Sequence, residues 1–151
     1  MCSSDLPALV ATLPTWEFFE SKAGVRTPLS AGASPGAKVN SLWARPRGAA
    51  AWILEIMLDD GTEDMWIYRR HTEIRVPLAT AIKRSDEGLP YLAPEIQLLY
   101  KAPNVRPQDH SDFARVAPAL DAEARRWLRD ALGRTNAGHD WINTLEGLCF
   151  T

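Results

Sequence analysis

An α+β fold, with a small sheet followed by a helical part, is predicted by three observations. Strand-and-turn patterning fills the stretch from Trp16 to Ile74, helical periodicity begins at Pro94, and no internal repeat interrupts either. The chain has 151 residues, 46% hydrophobic and 24% charged, which suits one ordinary globular domain and not a disordered chain. A single domain over 1–151 is therefore expected, mainly sheet over 1–88 and mainly helical over 89–151.

Ala8, Leu9, Val10 and Leu13, stopped by Pro14, read as the end of a helix already under way at Leu6. Trp16 to Glu20 fit a short strand that halts at Gly24, and Ser30 to Gly36 is a loop by composition. Val39 to Trp43 is a further strand, punctuated by Pro46 and Gly48. The strongest strand is Trp52 to Leu58. The turn signal Asp59-Asp60-Gly61 follows it, then a second strand over Met65 to Arg69, and this pattern predicts a hairpin. Ile74 to Gly88 reads as a connecting segment with a short helix over Leu78 to Ile82.

The helical half is better marked. Pro94-Glu95 opens a helix with proline in the first turn and an acid near the positive end of the dipole. Ile96, Leu99 and Tyr100 make one apolar stripe on it. Pro103 and Pro107 separate it from a second helix, where Phe113, Val116 and Leu120 share a face. Asp121 caps a third, with Trp127, Leu128 and Leu132 on one side and Gly133 at its end.

Charge and composition exclude several classes. Lys and Arg total 17 against 19 Asp and Glu, a formal charge of −2, so nothing argues for a dedicated nucleic-acid binder. No apolar run approaches the ~20 residues of a membrane helix. Residues Met1 to Asp5 show no basic region leading into an apolar one, so no secretory signal is read, and a cytoplasmic protein is expected. Cys2 and Cys149 stand near opposite ends and form no disulfide framework, and His71, His110 and His139 share no metal-ligand spacing.

Among residues that could carry chemistry, Glu55 comes first. The pleat places it on one strand face with Ile53, Met57 and Asp59. It is either a metal-binding or basic carboxylate on a buried strand, or a side chain standing in water on an open one. Asp59-Asp60 and Asp121-Ala122-Glu123 read as turn and cap residues rather than metal pairs. Arg69-Arg70 could grip phosphate or end an exposed strand, and Arg125, Arg126, Arg129 and Arg134 read as the wet face of a helix. Lys101 leaves its helix at the edge of the apolar stripe, where it could reach a phosphate or an acid. Of Asp109 and Asp112, one could cap the second helix and the other anchor Lys101 or Arg106. Most of the six tryptophans would fill a core or line a pocket.

The run Leu89 to Ala102 (LPYLAPEIQLLYKA), Arg106 to Phe113 (RPQDHSDF) and Leu120-Asp121 with Arg125-Arg126-Trp127-Leu128 resembles bacterial nucleotidyltransferase-fold proteins grouped with aminoglycoside 2″-adenylyltransferases. The resemblance covers nearly the whole chain from Leu6 and includes the segment Trp52 to Arg70. It implies a nucleotidyltransferase-like mixed or antiparallel sheet with a small C-terminal helical part. It further implies transfer of a nucleoside monophosphate from ATP to a small-molecule hydroxyl, with Mg²⁺ clamping the phosphates. On this reading Glu55 is the catalytic, metal-binding third carboxylate, and Lys101, Arg69, Asp109 and Asp112 are nucleotide-binding or helical-subdomain residues.

Two departures limit the match. The Gly-Gly or Gly-Ser turn and Asp-x-Asp strand that supply the other metal ligands are absent, and Gln108 replaces a customary lysine. Met1 to Leu6 resembles translated sequencing-adapter sequence, so the expectation is an N-terminally truncated, metagenomic reading frame, inactive as it stands. The alternative is a non-catalytic module with a ligand pocket lined by Trp43, Trp52, Trp66 and Tyr91. A missing strand would also leave a sheet edge through which copies could pair.

Overall fold

The computed structural model describes residues 6–30, 32–36, 39–59 and 61–149, and within them α-helices and antiparallel strands combine as an α+β arrangement. Met1 to Asp5 and Asp60 lie outside the described residues. The chain divides into two compact units, Met1–Arg69 and Arg70–Thr151.

In the first unit, helix α1 (Leu6–Thr12) is followed by β1 (Trp16–Lys22), β2 (Val25–Leu29), β3 (Ser41–Pro46), β4 (Leu54–Met57) and β5 (Met65–Ile67). The first four strands form one sheet in the order β2-β1-β3-β4, antiparallel throughout. Side-chain alternation gives this sheet two unlike faces. Phe18 lies opposite Ala44 and Leu42 opposite Ile56, and this row is buried with Leu6 of α1 packed on it. The other face carries Phe19, Trp43 and Glu55 in register.

Strand β2 was not marked by the sequence pattern, because Pro28 and the charged Arg26 dilute its β signal. What creates it is a two-residue turn. Lys22 pairs with Val25 across Ala23-Gly24, whose φ values of 50° and 80° are those of a type I′ hairpin. A Cβ on Gly24 would meet nothing within 4 Å, so its requirement is conformational alone. Gly24→Ala is therefore expected to destabilise the first unit by about 1–2 kcal/mol, the usual cost of a left-handed non-glycine residue, read as a lower urea midpoint.

The expected hairpin between Trp52–Leu58 and Met65–Arg69 does not form. β4 pairs with β3 instead, and β5 lies outside that sheet. Pairing with β3 sets Ile56 beside Leu42 and Leu54 beside Ala44 on the covered face, an apolar gain that local turn chemistry does not match. The turn itself sits later. The Thr62 N–H donates to the Met65 carbonyl at 2.9 Å, and a Cβ on Gly61 would lie 2.7 Å from that same oxygen.

The second unit opens with β6 (Arg75–Pro77), α2 (Leu78–Ala81), β7 (Ile82–Arg84) and β8 (Pro90–Leu92). The short helix appears where expected, but Ile82 turns extended and begins a β7–β8 hairpin where the pattern predicts a connecting segment. Helices α3 (Pro94–Lys101), α4 (Pro107–Val116), α5 (Ala122–Thr135) and α6 (Asp140–Cys149) follow. Proline stands in the first turn of α3, and Asp121 caps α5, its Oδ1 accepting the Ala124 N–H at 2.8 Å. α5 does not stop at Gly133. It runs to Thr135, where the Asn136 N–H still reaches the Leu132 carbonyl at 2.7 Å. The sequence pattern does not mark α6, which packs on α5 and buries Trp141 and Leu145. No helix among the described residues is long and apolar enough to cross a membrane.

Candidate functional site

Glu55 sits in β4 with Leu54 and Ile56 turned to the core and Glu55 and Met57 turned out. The residue opposite it on β3 is Trp43, not a second acid. Glu55 is exposed and forms no ion pair with any described residue. Among the described residues no group of three His, Cys, Asp or Glu could hold a metal ion. A lone, water-facing carboxylate does not fit the two-ion Mg²⁺ clamp that nucleotidyl transfer uses, which needs acids from neighbouring strands.

The same open face holds a different grouping. Trp52, just before β4, packs edge-on against Phe19 (centroids 5.0 Å) and against Trp43 (6.2 Å). Two guanidiniums lie over these rings. Arg45 sits 4.4 Å from the Trp52 centroid, and Arg26 sits 4.3 Å from Trp43 and 5.3 Å from Trp52. Arg45 is already committed: its Nε donates to Glu17 Oε1 at 2.7 Å and its Nη1 to the Ala50 carbonyl at 3.3 Å. Arg26 has no such partner among the described residues, neither a carboxylate nor a side-chain hydrogen bond.

Of the pocket expected from Trp43, Trp52, Trp66 and Tyr91, the structure brings Trp43 and Trp52 together. Trp66 is buried and stacks on Tyr68, 6.0 Å between centroids, while Tyr91 belongs to the second unit. The arginines were missed by the sequence reading. Their signal was present as alternation, since Glu17, Phe19 and Ser21 share one face with Trp43 and Arg45, and the Ala23-Gly24 turn places Arg26 opposite Ser21. Elsewhere in this unit, an apolar cleft of about 660 Å³ touching Leu6, Val10, Leu13 and Leu29 offers shape but few polar groups.

In the second unit Lys101, Arg106, Asp109 and Asp112 form one knot. Lys101 Nζ lies 2.9 Å from Asp109 Oδ1 and 2.6 Å from Asp112 Oδ2. Asp109, in the first turn of α4, accepts the Arg106 backbone N–H at 3.0 Å and its Nε at 2.9 Å. One aspartate thus performs both tasks the sequence divided between two, capping a helix and anchoring both cations. The Arg106 guanidinium first, then the Lys101 ammonium and the Arg106 backbone N–H, hold the Asp109 carboxyl well below the usual carboxylate range. Lys101 is raised, chiefly by its hydrogen bond to Asp112 and next by that to Asp109. With Asp109 only 1% exposed, these groups bind one another.

Arg69, Arg70 and Arg125 donate to backbone carbonyls. Arg69 Nη2 donates to the Leu58 carbonyl, and Arg70 Nη1 to that of Tyr100 at 3.1 Å. Arg125 is not on a wet face: it donates to the carbonyls of Leu120, Leu148 and Pro118 at 2.8, 2.7 and 2.9 Å, closing the end of α6. No protein-family model matches the chain, and neither a curated protein nor a solved structure matches it.

Proposed function

We propose that this chain is a nucleotidyltransferase-like protein that binds a small ligand on the open sheet face of its first unit and does not itself transfer nucleotides. The resemblance of Leu89 to Leu128 to the aminoglycoside 2″-adenylyltransferase group supports the fold family, and the grouping of Trp43, Trp52, Arg26 and Arg45 supports ligand binding. One observation carries the absence of transfer. Glu55, which the resemblance matches to the family's third metal carboxylate, has Trp43 opposite it on β3 and belongs to no metal-holding group of acids among the described residues. Without that clamp the transition-state charge on the phosphates loses several kcal/mol of stabilisation.

Titrating ATP with and without millimolar Mg²⁺ by calorimetry tests this. Any nucleotide binding is expected to be independent of Mg²⁺, and no pyrophosphate should be released with an aminoglycoside acceptor. Glu55→Gln should leave stability within about 0.5 kcal/mol, as for other exposed sites. Magnesium-dependent ATP binding that Glu55→Gln abolishes would overturn the reading.

A further inference from the structure

We propose that Arg26, held over Trp43 beside Trp52, is the anchor for a phosphomonoester group. The inference deepens the ligand-binding reading above and rests on it. A guanidinium has a flat face and an edge carrying five N–H donors, and the two can be used independently. Here the indoles cover the group, its Cζ 4.3 Å from the Trp43 centroid and 5.3 Å from that of Trp52, the two rings inclined 75° to one another. The N–H edge is unspent among the described residues, where no carboxylate lies within ion-pairing distance of Arg26 and no group accepts a hydrogen bond from its guanidinium. An arginine in this state matches the oxygens of a phosphate by a parallel pair of N–H···O bonds.

The ring contacts also remove a cost. A free surface arginine gives up rotamer entropy when it is fixed, and contact with the indoles has already restricted this one. The backbone beneath it is fixed as well, with Arg26 paired to Ser21 one residue beyond the Ala23-Gly24 turn. Arg45 is the poorer candidate on the same face. Its Nε and Nη1 are engaged, and Glu17 cancels its charge. The other acid on this face is Glu55, opposite Trp43. Its negative charge opposes an anion, so the affinity is modest and rises when that charge is removed.

The test uses the full chain in EDTA and reads tryptophan fluorescence together with calorimetry. Inorganic phosphate, AMP and adenosine are titrated separately. Phosphate and AMP should each bind saturably, AMP at least as tightly as phosphate, while adenosine should bind at least tenfold more weakly than AMP. Arg26→Ala should abolish phosphate binding. Arg26→Lys, which keeps the charge but loses the fork, should weaken it about tenfold or more, with an unchanged melting temperature confirming the fold. Glu55→Gln should tighten it two- to fivefold. Adenosine binding as tightly as AMP would overturn the proposal while sparing the ligand-binding reading, since the rings alone would then be the receptor. Phosphate binding untouched by Arg26→Ala would overturn it too. Failure of all three ligands to saturate by 10 mM would overturn both.

Discussion

Trp141→Ala is expected to destabilise the second unit by roughly 3–5 kcal/mol, the range for emptying a buried indole site. Three contacts set the size of the effect. Trp141 is 2% exposed, and its ring lies parallel to Phe113 of α4, 4.4 Å between centroids and 4° between planes. It meets His139 edge-on at 4.8 Å, and its Nε1 donates to His110 Nδ1 at 3.4 Å. Its own backbone N–H donates to His139 Nδ1 at 3.1 Å, and His139 Nε2 reaches the Ala102 carbonyl at 3.1 Å. The indole therefore ties α6 to α4 and, through the histidine, to the turn after α3. For a unit of this size, each kcal/mol moves the melting temperature by about 4–8 °C, so a drop beyond 12 °C is expected by circular dichroism. Trp141→Phe keeps the stack and loses the long Nε1 contact, and should recover more than half of the loss. An alanine variant that melts within 4 °C of the parent would show that α6 is not held by this ring.

That anchor was invisible in the sequence, and the reason is physical. Among the described residues after Gly133, only Trp141 and Leu145 are strongly buried, too few for a periodic stripe to stand out. Where local chemistry decides the outcome, the sequence was legible. Pro94, Asp121 and the stripe Ile96–Leu99 mark helices that form as read, because caps and spacing act within one turn. Where two pairings compete, it was not. The Asp59-Gly61 signal suggested a hairpin with the following strand, yet β4 pairs with the preceding one, over a connection of equal length, and sets Ile56 beside Leu42 in the buried row.

The site divides along the same line. Alternation in β4 was readable, but whether Glu55 faced water or a metal depended on which face α1 covers, and that is a tertiary fact. The Arg26 grouping needed the β1–β2 register, fixed by two residues with positive φ that composition alone does not announce. The Lys101, Asp109 and Asp112 association was readable as an ion pair, since eight and eleven residues across one helix junction bring them onto neighbouring turns.

Asp109→Asn is expected to remove most of the acid sensitivity of the second unit, and Asp109→Ala to lower its melting temperature by roughly 5–10 °C at neutral pH. The native carboxylate is held ionised by Arg106 and Lys101, so its folded pKa lies below the unfolded value of about 3.9. The unfolded chain then binds more protons than the folded one in acid, and stability must rise with pH through that range. The contribution is complete above about pH 5 and is lost as the pH falls from there through the depressed folded value. Lys101 has the opposite sign. Its folded pKa is raised, so its contribution is complete below its ordinary value of about 10.4 and is lost as the pH rises through the folded one. Urea midpoints measured from pH 2 to 11 should therefore show a plateau with a slope at each end. Asparagine keeps the cap but has no charge to lose, so Asp109→Asn should flatten the acid slope and leave the alkaline one reduced, because Lys101 retains Asp112. Lys101→Met should do the reverse, flattening the alkaline slope while Arg106 preserves most of the acid one. An acid slope unchanged in Asp109→Asn would place the unit's pH sensitivity in other carboxylates and reduce the knot to a surface ion pair, worth little in water.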